Sequence, residues 1–189
     1  MANTVSNVSA GKPNPAGALY WAPLGTTLPT DATAALDDAF LPLGYVSEDG
    51  LTNSNTRDND EIHAWGGDAV LNLESNYSDT FKFTLLEILN VNVLKMVYGE
   101  SNVTGTLATG ITVKANSAER TAGVFVAEMA LRDGAKQRII CPNAKLTELG
   151  DITYVDNDAA GYECTLSAMP GGFAAGDNDT HKTYIKRAA

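Results

Sequence analysis

The stretch that decides the fold is Phe81-Lys82-Phe83-Thr84-Leu85, in which large apolar side chains occupy every second position. Residues 162–168 (YECTLSA) repeat the pattern, and weaker versions cover residues 71–74 and 125–131. Alternation with a period of two places one face of a strand on a core and the other face toward water or a lumen. The sequence therefore predicts a mainly β protein.

Turn signals divide these strands. Arg132-Asp133-Gly134-Ala135 predicts a hairpin turn between strands at 124–131 and 136–141, because Asp-Gly is a preferred turn pair. Neighbouring strands joined by short turns run antiparallel. The predicted architecture is an antiparallel β-sandwich or β-barrel.

Two short α-helices interrupt the strand pattern. Asn90 can cap a helix over residues 91–98, which Gly99 would end. Thr30 or Asp31 can cap a second helix over residues 32–40, and Pro42 prevents its continuation.

Two segments have no apolar periodicity. Residues 1–16 are rich in Asn, Ser, Gly and Pro, which predicts a flexible N-terminal arm that becomes ordered on a partner. Residues 48–67 are mostly polar and predict a long loop, which inside a compact domain is either functional or disordered. Residues 17–189 are predicted to form a single β-rich domain around that loop.

The overall charge indicates a poor general binder of nucleic acids. Thirteen basic residues against 23 acidic ones give a formal net charge of −10, whereas affinity for phosphate backbones rests on Lys and Arg. The first residues lack a signal peptide, and no apolar run is long enough to span a bilayer. The sequence predicts a chain that stays in the cytoplasm where it is made and contacts no membrane.

Motifs for catalysis, nucleotide binding and metal binding are missing from the sequence. It contains no Gly-x-Ser-x-Gly elbow, no phosphate-binding glycine loop and no Cys-x-x-Cys. His63 stands beside three acidic residues, but a zinc site needs three or four ligands at recognisable spacing, and a solvated loop explains this cluster better. We therefore predict no enzyme, no cofactor and no metal site.

Three groups of segments, in the same order along the chain, resemble the major tail proteins of long-tailed phages, especially those that infect actinobacteria. The first group is GALYWAPLGTTLPTDA (17–32) and LGYVSEDGLT (43–52). The second is WGGD (65–68), FKFTLLE (81–87) and VLKMVYG (93–99). The third is PNAKLTELGDI (142–152) and GYE (161–163).

This resemblance implies an architecture and a function. Such proteins form hexameric rings whose sheets join into one continuous barrel around a channel, and the rings stack into a tail tube through an N-terminal arm and a long loop. The implied place is the virion tail, assembled in the host cytoplasm. The implied partners are further copies of the chain, the tape measure protein, the tail terminator and the distal tail or baseplate proteins. Double-stranded DNA would pass through without specific binding.

Two sets of residues are predicted to serve this assembly. In the 48–67 loop, the only basic side chain is surrounded by acids, so it is predicted to pair with an acid on the adjacent ring; the inter-ring candidates are Arg57, Asp58, Asp60 and Glu61. A lumen that lets DNA slide should be net negative, and the alternation suggests three acidic lumen candidates: Glu74, Glu128 and Glu163.

Two alternatives remain open from the sequence. A tail terminator or a baseplate hub protein of the same fold would cap or initiate the tube instead of building it. A soluble ligand-binding β-domain, which belongs to a different class, would need a dry pocket and would not polymerise.

Overall fold

The computed structural model describes residues 3–15, 17–174 and 176–187. Within these ranges the backbone forms one α-helix and eleven strands: α1 (Val91–Tyr98), β1 (Lys12–Pro13), β2 (Leu19–Pro23), β3 (Leu41–Pro42), β4 (Val46–His63), β5 (Ala69–Leu85), β6 (Val103–Thr106), β7 (Gly110–Val113), β8 (Gly123–Ala130), β9 (Lys136–Leu149), β10 (Tyr162–Ala168) and β11 (Lys182–Lys186). The protein is mainly β, as the alternation predicted.

A single antiparallel sheet organises the chain. Its strand order is β3-β2-β8-β9-β10-β5-β4, with β1 added to β8 and β11 added to β9, while β6 and β7 form a separate hairpin. Among the described strands, β3 and β4 stand at the two ends of this path and do not pair with each other. The sheet of the subunit is therefore open, and a barrel would require more than one copy.

The main core lies between this sheet and α1. Alternate residues of β5 and β10 are buried on one face, among them Phe81, Phe83 and Leu166. Phe83 stacks on Phe125 of β8, with the ring centroids 5.4 Å apart and the rings parallel. The alternation over 81–85 and 162–168 is thus confirmed as the signal of a core face.

A second core cluster covers the opposite face of β2, β8 and β9. It contains Ala22, Val124, Val126, Ile140 and Phe40. Because β8 is buried on both faces, its apolar run is almost continuous, whereas the sequence predicted a single core face.

The helix over residues 91–98 is confirmed. The Asn90 side chain accepts a hydrogen bond from the Asn92 amide, and Gly99 follows the last turn with a φ of 94°. Leu94 and Val97 are buried against the sheet, as the helical spacing predicts.

The predicted helix over residues 32–40 is wrong, since the backbone there forms bends and a turn. Asp31 does accept hydrogen bonds from the amides of Thr33 and Ala34, both at 2.6 Å. However, the Arg138 guanidinium donates hydrogen bonds to the backbone carbonyls of Asp31 and Ala34, at 2.7 and 2.8 Å. In an α-helix these carbonyls would accept hydrogen bonds from backbone amides four residues further along the chain. The buried arginine binds them instead and so holds the segment in a non-helical form.

The predicted loop over residues 48–67 is also wrong. The segment belongs to β4, which pairs with β5 as a long hairpin from Leu51 to His63. Its turn is closed by the Ala64 amide donating to the Asp68 carbonyl at 2.8 Å, and Gly66 and Gly67 both have positive φ, which favours glycine. Polar residues can form this ladder because both hairpin faces are solvated in the subunit.

The N-terminal segment has a binding site on its own subunit. β1 pairs with the end of β8, and the Asn14 amide donates to the Glu128 carbonyl at 3.2 Å. The ends of the predicted arm, residues 1, 2 and 16, lie outside the described residues. Ordering by a neighbouring subunit stays a prediction.

Candidate functional site

The outer part of the β4–β5 hairpin projects beyond the core. Every residue from 52 to 76 is exposed, and β5 is the only strand that β4 pairs with in the described chain. Large apolar side chains nevertheless lie there: Trp65 is fully exposed, and Ile62, Leu71 and Leu73 are about half exposed (47%, 50% and 47%). Exposed apolar side chains clustered on one element mark an interaction surface.

The two faces of this hairpin differ in chemistry. Residues directly opposite each other on paired strands point to the same face. Asp58, Asp60, Ile62, Leu71 and Leu73 share one face through the pairs 58–76, 60–73 and 62–71. We call these five residues the apolar–acidic face.

The opposite face of the hairpin is polar, and it carries the remaining inter-ring candidates. It holds Arg57 opposite Tyr77, Glu74 opposite Asn59, and Glu61. The four inter-ring candidates are therefore divided, with Arg57 and Glu61 on this face and Asp58 and Asp60 on the other.

Arg57 already has partners inside its own hairpin. Its guanidinium donates to the Glu74 carboxylate and lies 4.6 Å from the centre of the Tyr77 ring. The hydrogen bond to Glu74 raises the pKa of Arg57. An acid on an adjacent ring would thus add to the Glu74 contact. The sequence had suggested a place in the lumen for Glu74 and no contact with Arg57.

A buried carboxylate anchors the base of the hairpin. Asp79 is 1% exposed and accepts hydrogen bonds from Asn53 (2.8 Å) and Thr180 (2.6 Å), with His181 Nδ1 also 2.6 Å away. The His181 and Phe81 rings pack nearly at right angles, with the centroids 5.3 Å apart. These contacts tie the hairpin to the segment that enters β11. The sequence contained a sign of this buried site. Asp79 has the same position in the strand alternation as Phe81 and Phe83, so its carboxylate was due to lie on the core face.

Next to the hairpin, one face of β5, β10 and β9 is open and polar. Its side chains are mainly hydroxyls and charges: Thr80, Lys82, Thr84, Glu163, Thr165, Ser167, Lys145 and Glu148. We call this set the polar sheet face. Glu163 forms an ion pair with Lys82, and Lys145 forms one with Glu119. Both lysines of the polar sheet face are thus matched by carboxylates.

The three lumen candidates do not share a surface. Glu163 lies on the polar sheet face, whereas Glu74 lies on the projecting hairpin. Glu128 is largely buried, since its carboxylate binds Arg138 (2.9 Å from Nε) and accepts from Asn14 (2.7 Å). The prediction placed Glu128 on an open face, but the second core cluster covers that face of β8.

Within the described ranges, no three His, Cys, Asp or Glu side chains are close enough together to hold a metal ion. No helix in the described parts of the chain is long and apolar enough to cross a membrane.

The chain matches a known protein family over nearly its whole length. The family model described as "Phage tail tube protein" matches residues 5–186. The chain belongs to the phage tail tube protein family. This membership confirms that the chain is a structural protein of the virion tail and not an enzyme. No curated protein matches the chain.

The solved structures that are similar to this tail tube family member include the following two. One, described as the tube-terminating cap of the anti-feeding prophage, has a TM-score of 0.45 and 12% sequence identity, and the match covers 100% of both chains. The other comes from the sheath–tube complex of the extracellular contractile injection system PVC in its extended state. Its TM-score is 0.43 and its identity 12%, and the match covers 93% of each chain.

Proposed function

We propose that this protein polymerises as stacked hexameric rings into the tail tube of a long-tailed, siphovirus-type phage and forms the conduit for DNA ejection. The observation that carries the proposal is the projecting β4–β5 hairpin, whose apolar side chains have no cover within the described subunit. A second copy is the partner that a tail tube protein has in greatest supply. Assembly would take place in the host cytoplasm, before the tail joins the virion.

Two open edges support ring formation. β4 and β3 end the strand path, and each leaves backbone groups without a strand partner among the described residues. Unpaired edges promote pairing with another chain, and closing a ring removes them. The sheets of six copies would then join edge to edge into the continuous barrel.

The polar sheet face suits the wall of the channel. Its hydroxyls and its matched charges, including Lys82 with Glu163, leave no free lysine to hold phosphate. Retention of DNA grows with each Lys or Arg contact, because each contact releases counterions. DNA would pass without specific binding because the basic side chains are neutralised, with Glu163 as the one lumen candidate on this face.

The hairpin would bridge stacked rings through Arg57, Asp58, Asp60 and Glu61. The tape measure protein inside the tube, the tail terminator and the distal tail or baseplate proteins at its ends are the remaining proposed partners. The soluble ligand-binding alternative loses its support, because the family is structural.

Negative-stain microscopy of the purified protein tests the proposal. We expect tubes of uniform width with an open channel, and no tubes after residues 58–74 are replaced by a short turn. The copy number in purified virions separates a tube protein from a terminator or hub of the same fold, because only the tube protein dominates the tail. Purified protein that remains monomeric at high concentration would contradict the proposal.

A further inference from the structure

Three lysines lie in one row across the sheet. Lys12 of β1 is opposite Ala130 of β8, Ala130 is opposite Lys136 of β9, and Lys136 is opposite Lys186 of β11. Directly opposite side chains share a face, so the three ammonium groups lie on the same side. Arg132 in the adjoining turn and Arg187 after β11 flank them. All five side chains are exposed, and we call them the basic row.

The basic row is unusual in a chain of net charge −10. It gathers five of the thirteen basic residues, while two carboxylates lie near it: Asp133 is 3.7 Å from Arg132, and Asp31 is 3.6 Å from Lys186. Like charges directly opposite each other destabilise a sheet. An acidic partner bound on the row would offset this repulsion.

The projecting hairpin has the complementary composition. Between residues 57 and 76 it carries five carboxylates against a single arginine, and that arginine is bound to Glu74. Its apolar–acidic face combines two aspartates with Ile62, Leu71 and Leu73. A partner for this face must supply both positive charge and apolar surface.

The surroundings of the basic row supply the apolar surface. Val5 and Val8 are 74% and 69% exposed, whereas the exposed Ile185 lies on the other face of β11 from Lys186. The N-terminal segment that carries both valines is held beside the row, since the Arg132 amide donates to the Ser9 hydroxyl (2.7 Å) and Arg187 donates to the Ser6 carbonyl (3.1 Å). Two exposed valines thus lie in a segment that is held beside exposed lysine and arginine.

We propose that the apolar–acidic face of one copy docks on the basic row of a second copy. No ion pair among the described residues joins the two surfaces within the subunit. The match in charge and the apolar surface on both sides favour a second copy of this chain over a nucleic acid, which would leave the acidic hairpin without a partner. This inference rests on the proposed self-assembly and names the surfaces that carry it.

Charge reversal on each side, followed by recombination, tests the docking. The hairpin variant is Asp58→Lys with Asp60→Lys, and the row variant is Lys12→Glu with Lys136→Glu. Each should raise the critical concentration for tube formation by about tenfold or more, because like charges brought together across an interface are strongly unfavourable. A chain that carries all four changes should recover tubes, because the charges are opposite again.

Matched variants control for net charge and folding. Asp156→Lys with Asp158→Lys makes the same charge change as the hairpin variant, in an exposed segment away from the hairpin. Lys114→Glu makes half of the charge change of the row variant, at an exposed lysine outside the basic row. Both should form tubes like the wild type. Thermal melting of every variant separates a loss of folding from a loss of docking. The critical concentration of the wild type should rise with salt, because salt screens the attraction between the two surfaces.

The outcomes distinguish this inference from the proposed function. If the wild type forms no tubes, the proposed function fails. If the wild type and both reversal variants form tubes equally well, or if the four-fold variant is not rescued, the docking is wrong while the tube function stands. If the row variant loses retention of duplex DNA while the hairpin variant assembles normally, the basic row binds nucleic acid and the inference is overturned.

Discussion

The two halves of β5 have similar sequence patterns and opposite environments. In residues 81–85, Phe81, Phe83 and Leu85 are buried at 0%, 2% and 0% exposure. In residues 69–75, Leu71 and Leu73 are 50% and 47% exposed, although they too alternate with polar neighbours. One continuous strand thus contributes to the core at one end and to an open surface at the other.

This difference shows what alternation does and does not determine. The inner half lies between β10 and β4 and is covered by α1 and β8, so its apolar side chains are buried within the subunit. The outer half pairs with β4 alone, and a two-stranded ribbon cannot bury its own apolar side chains. Alternation identifies an apolar face, but the element that covers this face comes from elsewhere in the chain or from another chain.

The largest change in the free energy of unfolding is expected when the same Leu→Ala substitution is compared in a buried and in an exposed environment. Leu94→Ala in α1 should reduce the free energy of unfolding by about 2–5 kcal/mol, because it opens a cavity in the core. Leu71→Ala on the hairpin should change it by less than about 0.5 kcal/mol, as for other surface changes, yet it should lower tube yield. Denaturant unfolding and sedimentation measure the two quantities. Comparable losses of stability for both variants would mean that the hairpin is packed within the subunit.

A smaller effect is expected at the junction between the two halves. Asp79→Ala removes the buried acceptor of Asn53 and Thr180 and should cost about 1–3 kcal/mol, because the donors lose their partner. Hydrogen exchange should accelerate at the hairpin base and in the segment before β11. Asp79→Asn, which keeps one acceptor oxygen, should lie between the wild type and Asp79→Ala. Unchanged exchange at both segments would show that this contact does not hold the hairpin.

Arg57→Glu should weaken stacking and leave the melting temperature of the subunit nearly unchanged. The melting temperature should hardly change, because exposed ion pairs contribute at most about 1 kcal/mol to folding. Stacking should weaken because the variant removes the positive charge of the hairpin and places a second carboxylate beside Glu74. Arg57→Lys keeps the charge and serves as the control. Microscopy and thermal melting check both parts, and normal tubes with Arg57→Glu would show that this hairpin face does not take part in stacking.

The smallest effect concerns the segment that covers the second core cluster. Hydrogen bonds from the backbone amides of Thr33 and Ala34 lower the pKa of Asp31 to about 2. A depressed pKa stabilises the folded state above the unfolded value near 4, and this contribution is lost as the pH falls toward 2. The difference in melting temperature between the wild type and Asp31→Asn should therefore shrink from pH 5 to pH 2. A difference that does not vary over this range would contradict this role of the Asp31 carboxylate.

The candidate site was predictable in part. The sequence pointed to the segment around Arg57 because its polarity did not fit a compact domain, but it predicted a loop where a paired hairpin forms. The division of the four inter-ring candidates between two faces follows from alternation along β4, once the segment is known to be a strand. Their neighbours, Glu74 bound to Arg57 and Leu73 opposite Asp60, depend on the register with β5, which shifts near Asp58 and Ile62. Register depends on both strands together, so neither segment alone contains it.

By itself, the sequence determined the features that depend on local chemistry. These are the core face of residues 81–85, the core face of residues 162–168, the turn at 132–135 and the helix that Asn90 caps. The tertiary structure decided what depends on distant groups. Arg138 prevents the helix at 32–40 by donating hydrogen bonds to backbone carbonyls of that segment. It also forms an ion pair with Glu128, which is therefore largely buried and does not lie on an open face. Pairing across four strands brings Lys12, Lys136 and Lys186 into one row. Local hydrogen bonds and periodicity act over a few residues, whereas these contacts join residues from ten to more than a hundred positions apart.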